Sequence, residues 1–334
     1  MKATTRVDPA VLRLLQLDAD STYVSSAGGG GCSSASTSKI VSKPNNGEER
    51  LFFMKMGTGS SAKIMFEGEH TSLNAINAVV PSLCPKSFGY GKFESNPQIS
   101  FLVTEFLHLT GRRSSKGSGR SLAQKLAKLH TTPAPIPEGH NKPMFGFPVT
   151  TCCGDTAQDN SYKESWADFY AENRLRFILR EGEKNQGDDK TFHSLVEATA
   201  SEIVPRLISD DHLNNGKGVI PVVVHGDLWS GNASVGIIGD KDGEPEHVIF
   251  DSSACYAHSE FELGIMKMFG GFGSSFLEEY HEPCPKTEPV DEYEDRVKLY
   301  ELYHHLNHWA MFGGGYKSGA TSIMRSLLLK YGRS

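Results

Sequence analysis

The sequence predicts an α+β fold with a small strand-rich first part and a larger, mainly helical remainder. Three observations carry that expectation. β-Branched and aromatic stretches crowd the first third of the chain. Helical spacing dominates the rest. The 334 residues suffice for two units of ordinary domain size, and a chain this long buries a core without staples.

Taken in order, PAVLRLLQL near the N-terminus is a short helix candidate. TYVSSA and STSKIVSK flank the loop GGGGCSS, and the turn PNNG leads into ERLFFMKM, which gives three strands. SAKIMFEGEHTSLNAINAV reads as a helix, and FGYGKF and ISFLVTEFLHL as further strands. GRRSSKGSGRS (111–121) is a basic, flexible connection. In SLAQKLAKLH, Leu122, Leu126 and Leu129 share one helical face. A loop-rich stretch (131–165) precedes the helix WADFYAENRLRFILR, a second helix over 191–208, the strand VVVHGD and a hairpin. From Phe261 onward the chain is largely helical. The expected division is an N-lobe of residues 1–106 and a C-lobe of residues 107–334.

Apolar content of 38% and charged content of 22% fit a globular protein outside the membrane, and the net charge of −6 argues against nucleic acid or an acidic membrane as partner. No apolar run reaches the ~18 residues of a membrane span. The N-terminus, MKATTRVDPAVLRLL, has no apolar signal core, and Asp8 suits a transit peptide badly. A cytoplasmic protein is expected. The six cysteines (32, 84, 152, 153, 255, 284) form no CxxC pair, so they read as reduced thiols.

The stretch VVVHGDLWSGN (222–232) turns abruptly from apolar to a histidine, a carboxylate and an amide. His-Gly-Asp-x-x-x-x-Asn has the spacing of the kinase catalytic loop. An alcohol nucleophile needs a base beside its proton, which is Asp227. Developing phosphate charge needs Mg2+, and Asn232 can help hold it. His225 would orient the loop. Downstream, SVGII, GDKDGEPE and HVIFD make a strand, a turn and a strand that deliver Asp251, the second metal-holding residue. Upstream, FFMK ends in Lys55, placed to hold nucleotide phosphates. Glu69 shares a helix face with Phe66, Leu73 and Ile76 and is its expected partner, whereas Glu67 points elsewhere. Each residue alone reads equally well as a surface lysine, a solvated glutamate or a structural turn. Four of them in the required order predict a bilobal protein-kinase-like fold that uses ATP and Mg2+.

Gly28, Gly29, Gly30 and Gly31 form the expected phosphate-binding loop, because sequence of β character follows them where a Rossmann turn would open a helix. Glu105, Phe106 and Leu107 in FLVTEFLHL are the expected hinge, with the backbone of Glu105 and Leu107 meeting the adenine edge.

HGDLWSGN, YAHSEFELG, MFGGF, FLEEYHE and LNHW, together with MFEGE, FGFPVTTCCG and the helix after Trp166, resemble the fructosamine-3-kinase (ketosamine-3-kinase) family over nearly the whole chain. The resemblance implies a fold shared with aminoglycoside phosphotransferases and choline kinases. It also implies ATP-dependent phosphorylation of the sugar O3 of a ketosamine, whose product sheds the sugar and frees the amine. Asp227 then matches the catalytic residue, Asn232 and Asp251 the metal positions, and Lys55 the nucleotide lysine. Ser252-Ser253 after Asp251 departs from the family's Pro-Ala, and the loop 111–121 is unusually rich in Ser and Gly.

Only SSACYAH separates Asp251 from SEFELG, which leaves no room for the activation segment of a protein kinase. A small-molecule or protein-bound ketosamine is therefore the expected acceptor. Trp229 offers a flat face beside the base, with Trp309 a second candidate; both read equally as core aromatics. His258 and Glu260 are candidate acceptor residues, and Glu262 is expected to brace the catalytic loop. His304 and His308 lack the Glu of H-E-x-x-H, so zinc is not expected. Cys32, in the glycine loop, is a candidate redox residue able to link two chains, so the protein is expected as a monomer or a homodimer. The competing functions are another small-molecule kinase, of the aminoglycoside or choline kinase type, and a catalytically silent nucleotide-binding module.

Overall fold

The computed structural model describes residues 5–26, 35–44, 47–110, 119–239 and 243–332. The glycines 28–31, Cys32 and most of the 111–121 connection lie outside the described residues. The chain divides into two compact units, Met1–Leu122 with Asn232–Ser252, and Ala123–Gly231 with Ser253–Ser334.

The first unit is built on a six-stranded antiparallel sheet in the order β1-β2-β3-β4-β6-β5. Its strands are β1 (Thr5–Arg6), β2 (Thr22–Ser26), β3 (Ser36–Ser42), β4 (Arg50–Thr58), β5 (Ser87–Lys92) and β6 (Ile99–Glu105). Side chains alternate along β4, so successive residues serve opposite faces. Phe52 and Met54 join Val7, Val11 and Leu15 in a core under helix α1 (Pro9–Leu15). Lys55 and Gly57 belong to the other face, where helix α2 (Gly59–Val79) packs Ala62 and Phe66. Asp8, unsuited to a targeting segment, is the N-cap of α1. It accepts from Ala10 N–H and also holds Glu94 N–H and Ser95 N–H.

The expected 106/107 boundary moves. A second sheet places β11 (Ala233–Ile238) between β12 (Glu246–Ile249) and β7 (Leu107–Leu109). Ile249 N–H also donates to the Leu83 carbonyl (2.8 Å). Backbone pairing therefore puts the 232–252 hairpin in the unit that holds the large sheet.

The second unit is mainly helical, with short strands β8 (Cys152–Cys153), β9 (Thr156–Ala157), β10 (Val222–Val224) and β13 (Cys255–Ala257). Helix α3 (Leu122–His130) buries the predicted Leu126 and Leu129. The helix after Ser165 runs as α4 (Trp166–Asp168), a π-helical stretch (Phe169–Arg176) and α5 (Phe177–Gln186). The second predicted helix becomes α6 (Lys190–Ala198), a π-helical turn (Thr199–Ile203) and α7 (Val204–Ile208). Pro205 lacks an N–H, and widening the preceding turn spares the helix an interior break. Helices α8 (Glu262–Phe269), α9 (Ser274–His281), α10 (Tyr293–Phe312) and α11 (Tyr316–Tyr331) complete the unit, and α10 packs against α5, α8 and α11.

Candidate active site

In the first unit, β4 carries Lys55 to the face covered by α2, and α2 delivers Glu69. The Lys55 ammonium lies 2.7 and 2.9 Å from the two oxygens of Glu69. It also donates to Asp251 Oδ1 at 2.6 Å. Burial opposes the lysine's charge, but the Glu69 and Asp251 carboxylates outweigh it and hold its pKa above the ordinary value. Glu67 instead accepts from Tyr90 OH (2.8 Å), as the helical spacing predicts.

The hairpin sets the metal candidates side by side. Ala233 pairs with Ile249, and Phe250 N–H donates to the Asn232 carbonyl (3.1 Å), so Asn232 and Asp251 leave the same end of the ladder. Asp251 has φ +59°, a left-handed conformation costly for most side chains and tolerated best by Asp and Asn after Gly. Asn232 is buried, while the Asp251 side chain keeps 42% exposure, so the carboxylate held by Lys55 stays open to a ligand. An amide oxygen and a carboxylate suit Mg2+, which takes one or two protein oxygens and completes its shell with phosphate and water. Among the described residues no group of three or more His, Cys, Asp or Glu forms a metal cage.

The expected hinge residues, Glu105, Phe106 and Leu107, lie in the same unit. Glu105 N–H donates to the Lys86 carbonyl (2.9 Å), and Phe106 O accepts from Gly239 N–H (2.9 Å). Thr110 N–H donates to Val235 O in the same ladder. Alternation of an antiparallel pair then turns the Leu107 N–H away from β11.

In the second unit the loop that carries Asp227, the candidate base, is held from below. Glu262 accepts the N–H of His225 and that of Gly226 (3.1 Å). Burial alone would raise the Glu262 pKa, but His130 and His225 hold it below the ordinary value, so it braces the loop as a carboxylate. His225 is fully buried; its carbonyl accepts from Ser253 N–H (2.9 Å) and its Nδ1 from Asp227 N–H (3.2 Å). Gly226 is required here, since it has φ +82° and an added Cβ would sit 2.2 Å from the Ser253 carbonyl oxygen. Ser253 also gives its hydroxyl to Gln158 Oε1 (2.8 Å), so this buried polar side chain is satisfied inside the fold.

Three expected acceptor residues are corrected by their surroundings. Trp309 is 2% exposed and packs edge-on against Phe192 (4.7 Å), so it is a core aromatic. Glu260 is buried, accepts from Thr287 N–H (2.8 Å) and pairs with Arg296 Nε (2.8 Å). His258 is buried between Tyr300 OH and Thr287 Oγ1, both at 2.8 Å. Burial lowers its pKa from 6.5 to about 4. Between those values the unfolded chain binds the extra proton, so stability is lost as pH falls from 6.5 toward 4. Acidification from pH 6.5 to 5 costs about 2 kcal/mol at this site. Urea titrations at both pH values will show that loss in the wild type and a smaller one in His258→Gln; equal losses reject the assignment.

Trp229 remains, half-buried beside Asp227. A Cβ on Gly231 would lie 2.0 Å from its ring, so the indole rests on a bare backbone that only glycine leaves open. Sequence reasoning missed Cys153, whose Sγ lies 3.9 Å from Asp227 Oδ1. Burial, then the Asp227 charge, push that thiol well above its ordinary pKa, so it stays neutral. The five described cysteines, Cys84, Cys152, Cys153, Cys255 and Cys284, are all free thiols, as expected.

The strand-rich unit with its Lys–Glu pair, the helical unit and the HGDxxxxN loop define a phosphotransferase of the protein-kinase-like fold. The profile of the fructosamine kinase family matches residues 16–330, and the chain belongs to that family. The ketosamine-3-kinase of Mus musculus is 35% identical over 82% of this chain and 87% of its own length. The chloroplastic protein-ribulosamine 3-kinase of Arabidopsis thaliana is 34% identical over 83% of this chain and 76% of its own. The crystal structure of a candidate fructosamine-3-kinase from Haemophilus somnus 129PT superposes with a TM-score of 0.70 at 19% identity, covering 97% of each chain. That likeness speaks for the fold. No described helix is long and apolar enough to cross a membrane.

Proposed function

We propose that this protein transfers the γ-phosphoryl group of Mg-ATP to the O3 hydroxyl of a ketosamine, a ribulosamine or fructosamine adduct of an amine. The observation that carries this reading is the buried Lys55 bridging Glu69 and Asp251 at hydrogen-bond distance. A nucleotide-binding module that had lost catalysis would have no need to retain both carboxylates with Asp227 and Asn232. The relatives named for ketosamine and ribulosamine kinases support the acceptor class.

Lys55, oriented by Glu69, holds the nucleotide phosphates, and Leu107 meets the adenine edge. Asn232 and Asp251 hold Mg2+, which neutralises phosphate charge when bound. Asp227 accepts the proton of the sugar O3 hydroxyl as the bond from that oxygen to the γ-phosphorus forms. The bond from phosphorus to the β-bridging oxygen breaks, and ADP leaves. Glu262 and His225 keep the loop that presents Asp227, and Trp229 offers its face to the sugar ring. The glycine loop 28–31 is proposed to cover the phosphates. Free thiols throughout the described chain suit a reducing compartment, which fits the cytoplasm. The protein acts as a monomer or a homodimer, with Cys32 the proposed point of redox control.

The test is ATP consumption with Mg2+ against ribulosamine, fructosamine and choline. Turnover with a ketosamine and none with choline is expected. Turnover with choline alone would move the protein to a different acceptor class, and no turnover with any of them would favour a silent module.

A further inference from the structure

The vicinal cysteines 152 and 153 form strand β8, and strand geometry sends them to opposite faces. Cys152 is half-buried. Cys153 is 1% exposed and aims its thiol at Asp227, with Sγ 3.9 Å from Oδ1. Both belong to the second unit. The backbone around the thiol fixes its position. Cys153 pairs with Thr156 of β9, and its carbonyl accepts from Asn307 Nδ2 on α10 (3.2 Å). Gln158 N–H donates to the Thr151 carbonyl (2.9 Å), which closes the hairpin. Thr151 Oγ1 donates to the Ala254 carbonyl (3.2 Å), which ties the hairpin to the segment before β13.

We propose that Cys153 is a positioning residue for the catalytic base: its S–H donates to Asp227 Oδ1 and sets the plane in which the carboxylate meets the acceptor hydroxyl. The inference rests on the reading of Asp227 as that base. The last torsion of an aspartate is broad, so an unheld carboxylate turns easily. A base must bring one oxygen to about 2.6–3.2 Å from the oxygen whose proton it takes. Holding Oδ1 fixes the direction in which the other oxygen points. The kind of donor matters too. A lysine or arginine in this place would make a charge-assisted bond and lower the carboxylate's affinity for a proton, which a base needs. A thiol is a weak donor that packs as a small apolar group. It orients the carboxylate and leaves its basicity nearly intact. The thiol has a proton to give, because burial and then the Asp227 charge disfavour the thiolate. The contact is long, as catalytic hydrogen bonds often are before substrate tightens them.

The experiment compares Cys153→Ser, Cys153→Val and Cys153→Ala with the wild type on a ribulosamine and Mg-ATP. Loss of the donor in the Val and Ala variants lowers kcat about ten- to hundredfold, the scale of a misplaced catalytic group. KM for either substrate stays within about twofold, because the thiol acts through Asp227 and binds neither. Ser keeps a donor and retains more of kcat than Val. Packing alone predicts the reverse order, since Val suits a buried apolar position better than Ser. A Val variant as active as Ser, or a loss carried by KM, overturns the proposal. A second readout needs no turnover. The infrared S–H stretch of Cys153, isolated as the difference between the wild type and Cys153→Ala, moves to higher frequency in Asp227→Ala, where the acceptor is gone. Asp227→Asn keeps the shape of the side chain and shows a smaller shift in the same direction. One frequency in all three backgrounds overturns the contact. If the wild type turns over no ketosamine, the proposed function has failed, and the infrared shift alone decides whether the thiol holds Asp227.

Discussion

Asp227→Asn is expected to lower kcat by about 10²–10⁴ while the protein stays folded and still binds nucleotide, the usual scale of general-base assistance. The substitution keeps size and polarity but removes the proton acceptor. The loop that carries residue 227 has anchors besides that carboxylate. His225 and Gly226 are anchored through their backbone N–H groups on Glu262, and Ser253 N–H closes on the His225 carbonyl. Nucleotide affinity should survive as well, because Lys55, Glu69, Asn232 and Asp251 all belong to the other unit. Single-turnover phosphorylation with saturating Mg-ATP separates the outcomes. Near-normal turnover in the variant removes Asp227 as base, whereas lost nucleotide binding points to a role in positioning the phosphates.

The largest stability effect is expected at Arg296, which is fully buried. Its guanidinium donates to Glu260 from Nε (2.8 Å) and from Nη2 (3.1 Å), and to the Pro289 carbonyl (2.8 Å). Arg296→Met leaves the Glu260 carboxylate buried without its counter-charge and should cost about 3–5 kcal/mol. Replacing both partners, Glu260→Gln with Arg296→Met, removes the stranded charge and should recover part of that loss. Urea unfolding of both variants is the measurement. A single-variant loss below about 1 kcal/mol would place the pair among weakly contributing ion pairs.

Much of the site was legible in sequence because its parts lie at fixed offsets on regular elements. Lys55 was readable as the end of an apolar strand. Glu69 was separable from Glu67 because helical spacing puts it beside Phe66, Leu73 and Ile76, and all four of these are buried. Asn232 and Asp251 were linked by a hairpin readable as two short apolar stretches around the turn GDKDGEPE. His258, Glu260 and Trp309 were misread for a common reason. Their residue types suit a sugar-binding wall, yet sequence holds no record of what surrounds a side chain. The partners that occupy His258 come from positions 287 and 300, and those that occupy Glu260 from 287 and 296.

The sequence by itself determined the order of strands and helices, the pairing of Lys55 with Glu69, and the chemistry of the HGDxxxxN loop, because periodicity and short spacings are local properties. Tertiary structure alone decided that the 232–252 hairpin belongs with the large sheet, that Glu260 meets Arg296 in the interior, and that Phe269 stays partly exposed beside Trp229. Those outcomes depend on burial and on contacts between distant segments, which arise only when the chain closes on itself.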